Sequence, residues 1–166
     1  MVIDLGALVK NNSTLQPVLI MLLGAVVLQL VPVSGEWIFL KPNFLLLVMI
    51  AWILYFPEQY SIEFSVLIGI FSDLLFGSTL GYHVFVFAVC GLILMFLHRL
   101  IVYLQVVHRV ILVFVLVLLV ELLRVVVYAL LGIPLFLETI LPLAIISSLC
   151  WIPLDRIMNG FYSHQQ

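Results

Sequence analysis

Six apolar runs occupy most of this chain: Pro17–Val33, Phe44–Phe56, Ile62–Phe76, Leu80–Leu97, Val110–Leu131 and Ile133–Leu154. A helix needs about 20 predominantly apolar residues to cross a hydrocarbon core roughly 30 Å thick. The breaks between runs carry turn chemistry, in Ser34-Gly35-Glu36, Pro57-Glu58-Gln59, Gly77-Ser78-Thr79 and Gly132-Ile133-Pro134, and the fourth run ends in His98-Arg99. The expectation is an all-α, polytopic transmembrane helix bundle of about six spans, forming one integral membrane domain over residues 1–166. The second and third runs are short and reach only about 20 Å. A four-span bundle with a re-entrant hairpin is therefore the alternative. None of the runs alternates apolar with polar residues, which argues against a β-barrel.

Composition removes other classes. The chain is 66% hydrophobic and 8% charged, against about a quarter charged in soluble domains, so its charges cannot clothe a water-facing surface. A net charge of −2 and the absence of any Lys/Arg cluster argue against a nucleic-acid partner. Cys90 and Cys150 lie inside apolar runs and read as small hydrophobes, and no Cys/His spacing suits a metal. No cofactor is expected. The polar segment Met1–Gln16 leads into a run without a small-residue cleavage site, so that run reads as a retained first span. With a cytoplasmic N-terminus, Lys10, Arg99, Arg109 and Arg156 fall inside and Lys41 outside, so both termini are expected in the cytoplasm. Trp37 and Trp151, near run ends, are expected at the membrane interfaces.

Asp73, Glu121 and Arg124 stand inside apolar runs. A charge at bilayer depth costs about 2.5–3.5 kcal/mol on insertion scales, so each requires a partner or a wet cavity. Glu121 and Arg124 are spaced i,i+3 and can pair, with Tyr128 continuing their face. Such a pair orients the fifth helix inward or marks contact with another chain. Ser61, Ser65, Gly69, Asp73, Gly77 and Gly81 recur every fourth residue, a spacing that lets helix backbones approach closely in lipid. That stripe can pack within the chain or against a partner. A tertiary Asp73–Arg124 pair would compete with Glu121 for the same cation.

No constellation of nucleophile and base, and no phosphate loop, is present in the sequence. Glu36, Lys41 and Glu138 are scattered among apolar residues, and His83, His98, His108 and His164 read as solvated or interfacial. The chain is not expected to be an enzyme. Transport is the competing reading, because intramembrane charges can mark an ion path, although no internal repeat supports it.

The stretches Lys41-Pro42-Asn43-Phe44-Leu45-Leu46-Leu47, Trp52-Ile53-Leu54 and Gly69-x-x-x-Asp73-Leu74-Leu75-x-Gly77-Ser78-Thr79-Leu80-Gly81 resemble the rod shape-determining protein MreD family. Lys41 and Phe44 stand where that family's usual pattern has Arg and Trp. The resemblance implies a non-enzymatic scaffold in the bacterial inner membrane. It implies binding to a bitopic MreC-like protein and, through it, links to an MreB-like filament and to the peptidoglycan transglycosylase and transpeptidase. A distant similarity to substrate-binding membrane subunits of vitamin uptake transporters sustains the alternative. The elements expected to matter are Gly69, Asp73, Gly77 and Gly81 on the stripe, the loop Lys41, Pro42 and Asn43, and the pair Glu121 and Arg124. Asp73 is expected to fix helix register, Pro42 and Asn43 to set the outer turn, and the glycines to allow close approach.

Overall fold

The computed structural model describes residues 5–32, 34–35, 40–77, 81–101, 105–132 and 137–163. They form six α-helices: α1 (Leu5–Leu30), α2 (Phe44–Tyr55), α3 (Ile62–Phe76), α4 (Tyr82–Ile101), α5 (Val106–Leu130) and α6 (Ile140–Ser163), with a short 3-10 turn, Leu137–Thr139, before the last. The all-α expectation holds, and the described residues contain no strand. Val106–Leu130 and Leu137–Phe161 are long and apolar enough to cross a membrane, while Gln16–Leu30, Phe44–Tyr55 and Tyr82–Leu97 are shorter apolar helices.

Helix ends follow local chemistry more closely than they follow hydropathy. The Asn43 side chain accepts a hydrogen bond from the Leu46 amide and so caps the start of α2. Gly77 ends α3 in the left-handed conformation (φ 56°), which a side chain would strain. The helix α1 begins at Leu5, well before the apolar run, so helical hydrogen bonding continues through the polar positions Asn11 and Ser13. Gly81 (φ 99°) delays the start of α4 to Tyr82.

The core is organised around α2, which packs against α1, α3, α4 and α6. Every residue from Leu45 to Ile53 is buried. Trp52 is fully enclosed and stacks on Phe56, with Tyr60 edge-on. Trp151 is also fully buried, so it does not sit in an interfacial belt; its place on α6 faces the neighbouring helices. Trp37 lies outside the described residues. The outer faces are apolar: Leu67, Ile70, Phe71 and Leu74 on α3, and Val115, Leu122 and Val126 on α5, are exposed. A core that is apolar and an outside that is equally apolar fit a hydrocarbon solvent.

Candidate functional site

Polar side chains gather at the two ends of the bundle. At one end Asp73, in the last turn of α3, reaches the start of α4. Its carboxylate accepts from the backbone N–H of Gly81 at 2.8 Å, of His83 at 2.9 Å and of Val84 at 3.4 Å. Those amides open a helix and lack intrahelical acceptors, and the positive end of the helix dipole adds to the attraction. His83 Nδ1 stands 2.8 Å from the same carboxylate. With its proton on Nδ1, the imidazole donates to that carboxylate. His83, with its side chain 13% exposed, is therefore not a solvated histidine as the sequence suggested.

Gly69 makes this geometry possible. A Cβ there would lie 2.6 Å from Val84 Cα, so α3 and α4 touch through backbone at that point. Ser65, Gly69 and Asp73 are all buried, and α3 packs against α4 more extensively than any other pair of helices pack. The inner part of the small-residue stripe thus packs within the chain. Gly77 and Gly81 belong to it only by spacing. A Cβ at either would meet nothing within 4 Å, and their positive φ is what calls for glycine. Ser61 caps the start of α3 by position, without a side-chain hydrogen bond.

Arg124 pairs with Glu121, one turn earlier on α5. The guanidinium goes to that local carboxylate, and Asp73 is engaged by α4, so the alternative Asp73–Arg124 pairing is not the one adopted. Lys41 closes the end of α1: its Nζ donates to the carbonyl oxygens of Gln29 and Val31, where the helix leaves carbonyls unsatisfied. The Gln29 side-chain oxygen in turn accepts from the Phe44 amide at 3.1 Å, and Pro42 is buried between these groups in sequence.

These residues share a cavity of about 200 Å³. Its walls come from the end of α1 (Gln29), the loop before α2 (Lys41, Asn43), the start of α4 (Tyr82, His83) and the last turns of α5 (Glu121, Arg124, Tyr128). The fold thus brings together Lys41, Asn43, Glu121 and Arg124, singled out separately in the sequence, with Asp73 behind His83.

The opposite end holds a cluster the sequence did not announce. Arg109 Nη1, at the start of α5, donates to Tyr55 Oη at 2.6 Å and lies 3.3 Å from Asp155 Oδ1 on α6. Tyr55 donates to the same carboxylate oxygen at 2.7 Å, and Asn159 Nδ2 donates to the other at 3.3 Å. The Arg109 guanidinium also stands over the Tyr55 ring. Since α2 has Asn43 in the cavity and Tyr55 in this cluster, it connects the two polar ends. Cys90 and Cys150 are free thiols, and no group of His, Cys, Asp or Glu among the described residues could hold a metal.

A helical bundle with a largely apolar core, apolar outer faces and its buried charges gathered in two polar clusters has the architecture of a helical membrane protein. The family model described as rod shape-determining protein MreD matches residues 11–164, and the chain belongs to that family of shape-determining membrane proteins. Among curated proteins, the rod shape-determining protein MreD of Haemophilus influenzae is 45% identical over 62 residues, covering 37% of this chain and 38% of that relative. The aligned stretch is thus well under half of the relative's length. No solved structure matches.

Proposed function

We propose that this chain is a non-enzymatic, multi-pass scaffold of the bacterial inner membrane, acting in the cell-elongation machinery that organises peptidoglycan synthesis. In this reading it holds a single-span, MreC-like partner and through it connects to an MreB-like filament and to the transglycosylase and transpeptidase. The family match over residues 11–164 carries the proposal. The structure supports a contact role in a particular way. Gly69 and Asp73 act inside the chain, locking α3 on α4, and the opposite face of α3 offers Leu67, Ile70, Phe71 and Leu74 to a partner's helix. Six spans with both termini cytoplasmic would turn the cavity outward and the Tyr55–Arg109–Asp155 cluster inward.

Photo-crosslinking in native membranes tests this. A crosslinker at Leu74 should capture a single-span cell-shape protein, and one at the buried Ile68 should not. Purification without any such partner, or equal capture at both positions, would refute the reading. The cavity favours a second reading, a substrate-binding membrane subunit of a vitamin-type uptake transporter. Copurifying ATPase subunits, or a growth defect relieved by one nutrient, would select it.

A further inference from the structure

We propose that the cavity binds a phosphate-type oxyanion, carried on the headgroup of a membrane amphiphile or free as a small phosphate. The inference rests on which polar atoms remain uncommitted. Most of the acceptors lining the cavity are spent on the protein itself. Gln29 Oε1 and Asn43 Oδ1 take the Phe44 and Leu46 amides at the start of α2, which leaves each side chain its NH₂ donor. The Glu121 carboxylate is ion-paired with Arg124, although its buried Oε2 accepts no hydrogen bond, and behind His83 the Asp73 carboxylate is wrapped by the amides opening α4. Donors outnumber the acceptors that remain. Among the described residues, Arg124 Nε is buried without a hydrogen-bond partner, and the Tyr82 and Tyr128 hydroxyls have none. Lys41 and Arg124 bring two positive charges to the cavity walls, and the carboxylates nearby are Glu121 on the wall and Asp73 behind His83.

A donor-rich pocket with two cations on its wall favours an anion over a neutral ligand. Its donors come from α1, from the loop before α2, from α4 and from α5, and surround more space than the two oxygens of a carboxylate can satisfy. The volume of about 200 Å³ exceeds the roughly 30 Å³ share of a water several-fold. A phosphate group, with three or more oxygens, fits that arrangement. The cavity wall includes Phe76, itself partly exposed, and Leu130 and Leu141 lie exposed close by in sequence to the lining residues Tyr128 and Leu143. Hydrocarbon attached to the phosphate would have an apolar surface to follow.

The test uses the full-length chain, purified in a sugar-headgroup detergent and phosphate-free buffer. Its melting temperature is titrated with dioctanoyl phosphatidic acid, inorganic phosphate, dioctanoylglycerol and decanoate. A saturable rise with phosphatidic acid alone assigns the site to a lipid headgroup. The same rise with inorganic phosphate assigns it to a free phosphate. Tyr128→Phe and, separately, Tyr82→Phe remove one donor while retaining the ring, and each should weaken binding about tenfold, as expected for a hydrogen bond to a charged group. Tyr55→Phe, at the far end of α2, should leave the affinity unchanged. The proposal fails if neither phosphate probe binds, if dioctanoylglycerol or decanoate binds equally well, or if both cavity tyrosine variants match the unaltered chain.

Discussion

Asp73 does for α4 what an N-cap residue usually does, but it does so from the preceding helix. Its carboxylate serves three amides and an imidazole, so replacing it by Leu strands several buried donors, each at a cost of about 1–3 kcal/mol. Asp73→Leu should therefore lower the melting temperature in detergent clearly more than Asp73→Asn, which keeps one accepting oxygen. Equal losses would mean that size, not acceptance, matters at this position. The two kinds of glycine separate just as cleanly. At Gly69 a methyl would meet the Val84 backbone, and a comparable overpacking costs about 1–3 kcal/mol. At Gly77 there is room but a φ of 56°, which asparagine tolerates. Gly77→Asn should then be nearly neutral in thermal unfolding, and Gly69→Asn strongly destabilising. If both behave alike, close packing and backbone conformation have been wrongly assigned between them.

Among the elements, α3 and α4 form a hairpin whose closing contact was half visible in the sequence. The Gly-rich break after Asp73 is short enough to bring the next helix start beside it, yet a stripe of small residues reads the same whether it meets a neighbour or a partner. The pair on α5 could be read directly, because Glu121 and Arg124 are one turn apart. The Tyr55–Arg109–Asp155 cluster could not. Its members are 46 to 100 residues apart, and each alone looks like an ordinary residue near a run end. That cluster fastens α2 and α5 to α6. Asp155→Leu removes the acceptor shared by the partly exposed Arg109, Tyr55 and Asn159, a loss of about 1.5–3 kcal/mol as for hydrogen bonds to a charged group. Tyr55→Phe, losing one hydroxyl, should cost about 1 kcal/mol. Thermal unfolding of the two variants checks the order, and Tyr55→Phe as the more damaging would contradict this account.

For the whole molecule, the proposed orientation sets which compartment each polar end would meet. With Cys90 and Cys150 replaced, a cysteine at Glu138 should react with an impermeant maleimide on intact cells, and one at Gln105 only after permeabilisation. The reverse pattern would invert the proposed orientation and turn the cavity toward the cytoplasm. Loss of the chain should round rod-shaped cells without rescue by any single nutrient, whereas a nutrient that restores the rod would favour uptake. The burial of α2 has a consequence for how the protein is made. Synthesis proceeds from the N-terminus, so α2 is made before α4 and α6 exist to cover it. Its apolar surface tolerates lipid meanwhile, but its 12 residues, about 18 Å of helix, are too short to rest there comfortably. Until α6 arrives with Asp155, the Tyr55 hydroxyl and the Arg109 guanidinium lack the carboxylate that joins them. A nascent chain halted before its sixth helix is then a natural target for membrane proteases. The sixth helix, made last, completes the shell around the second.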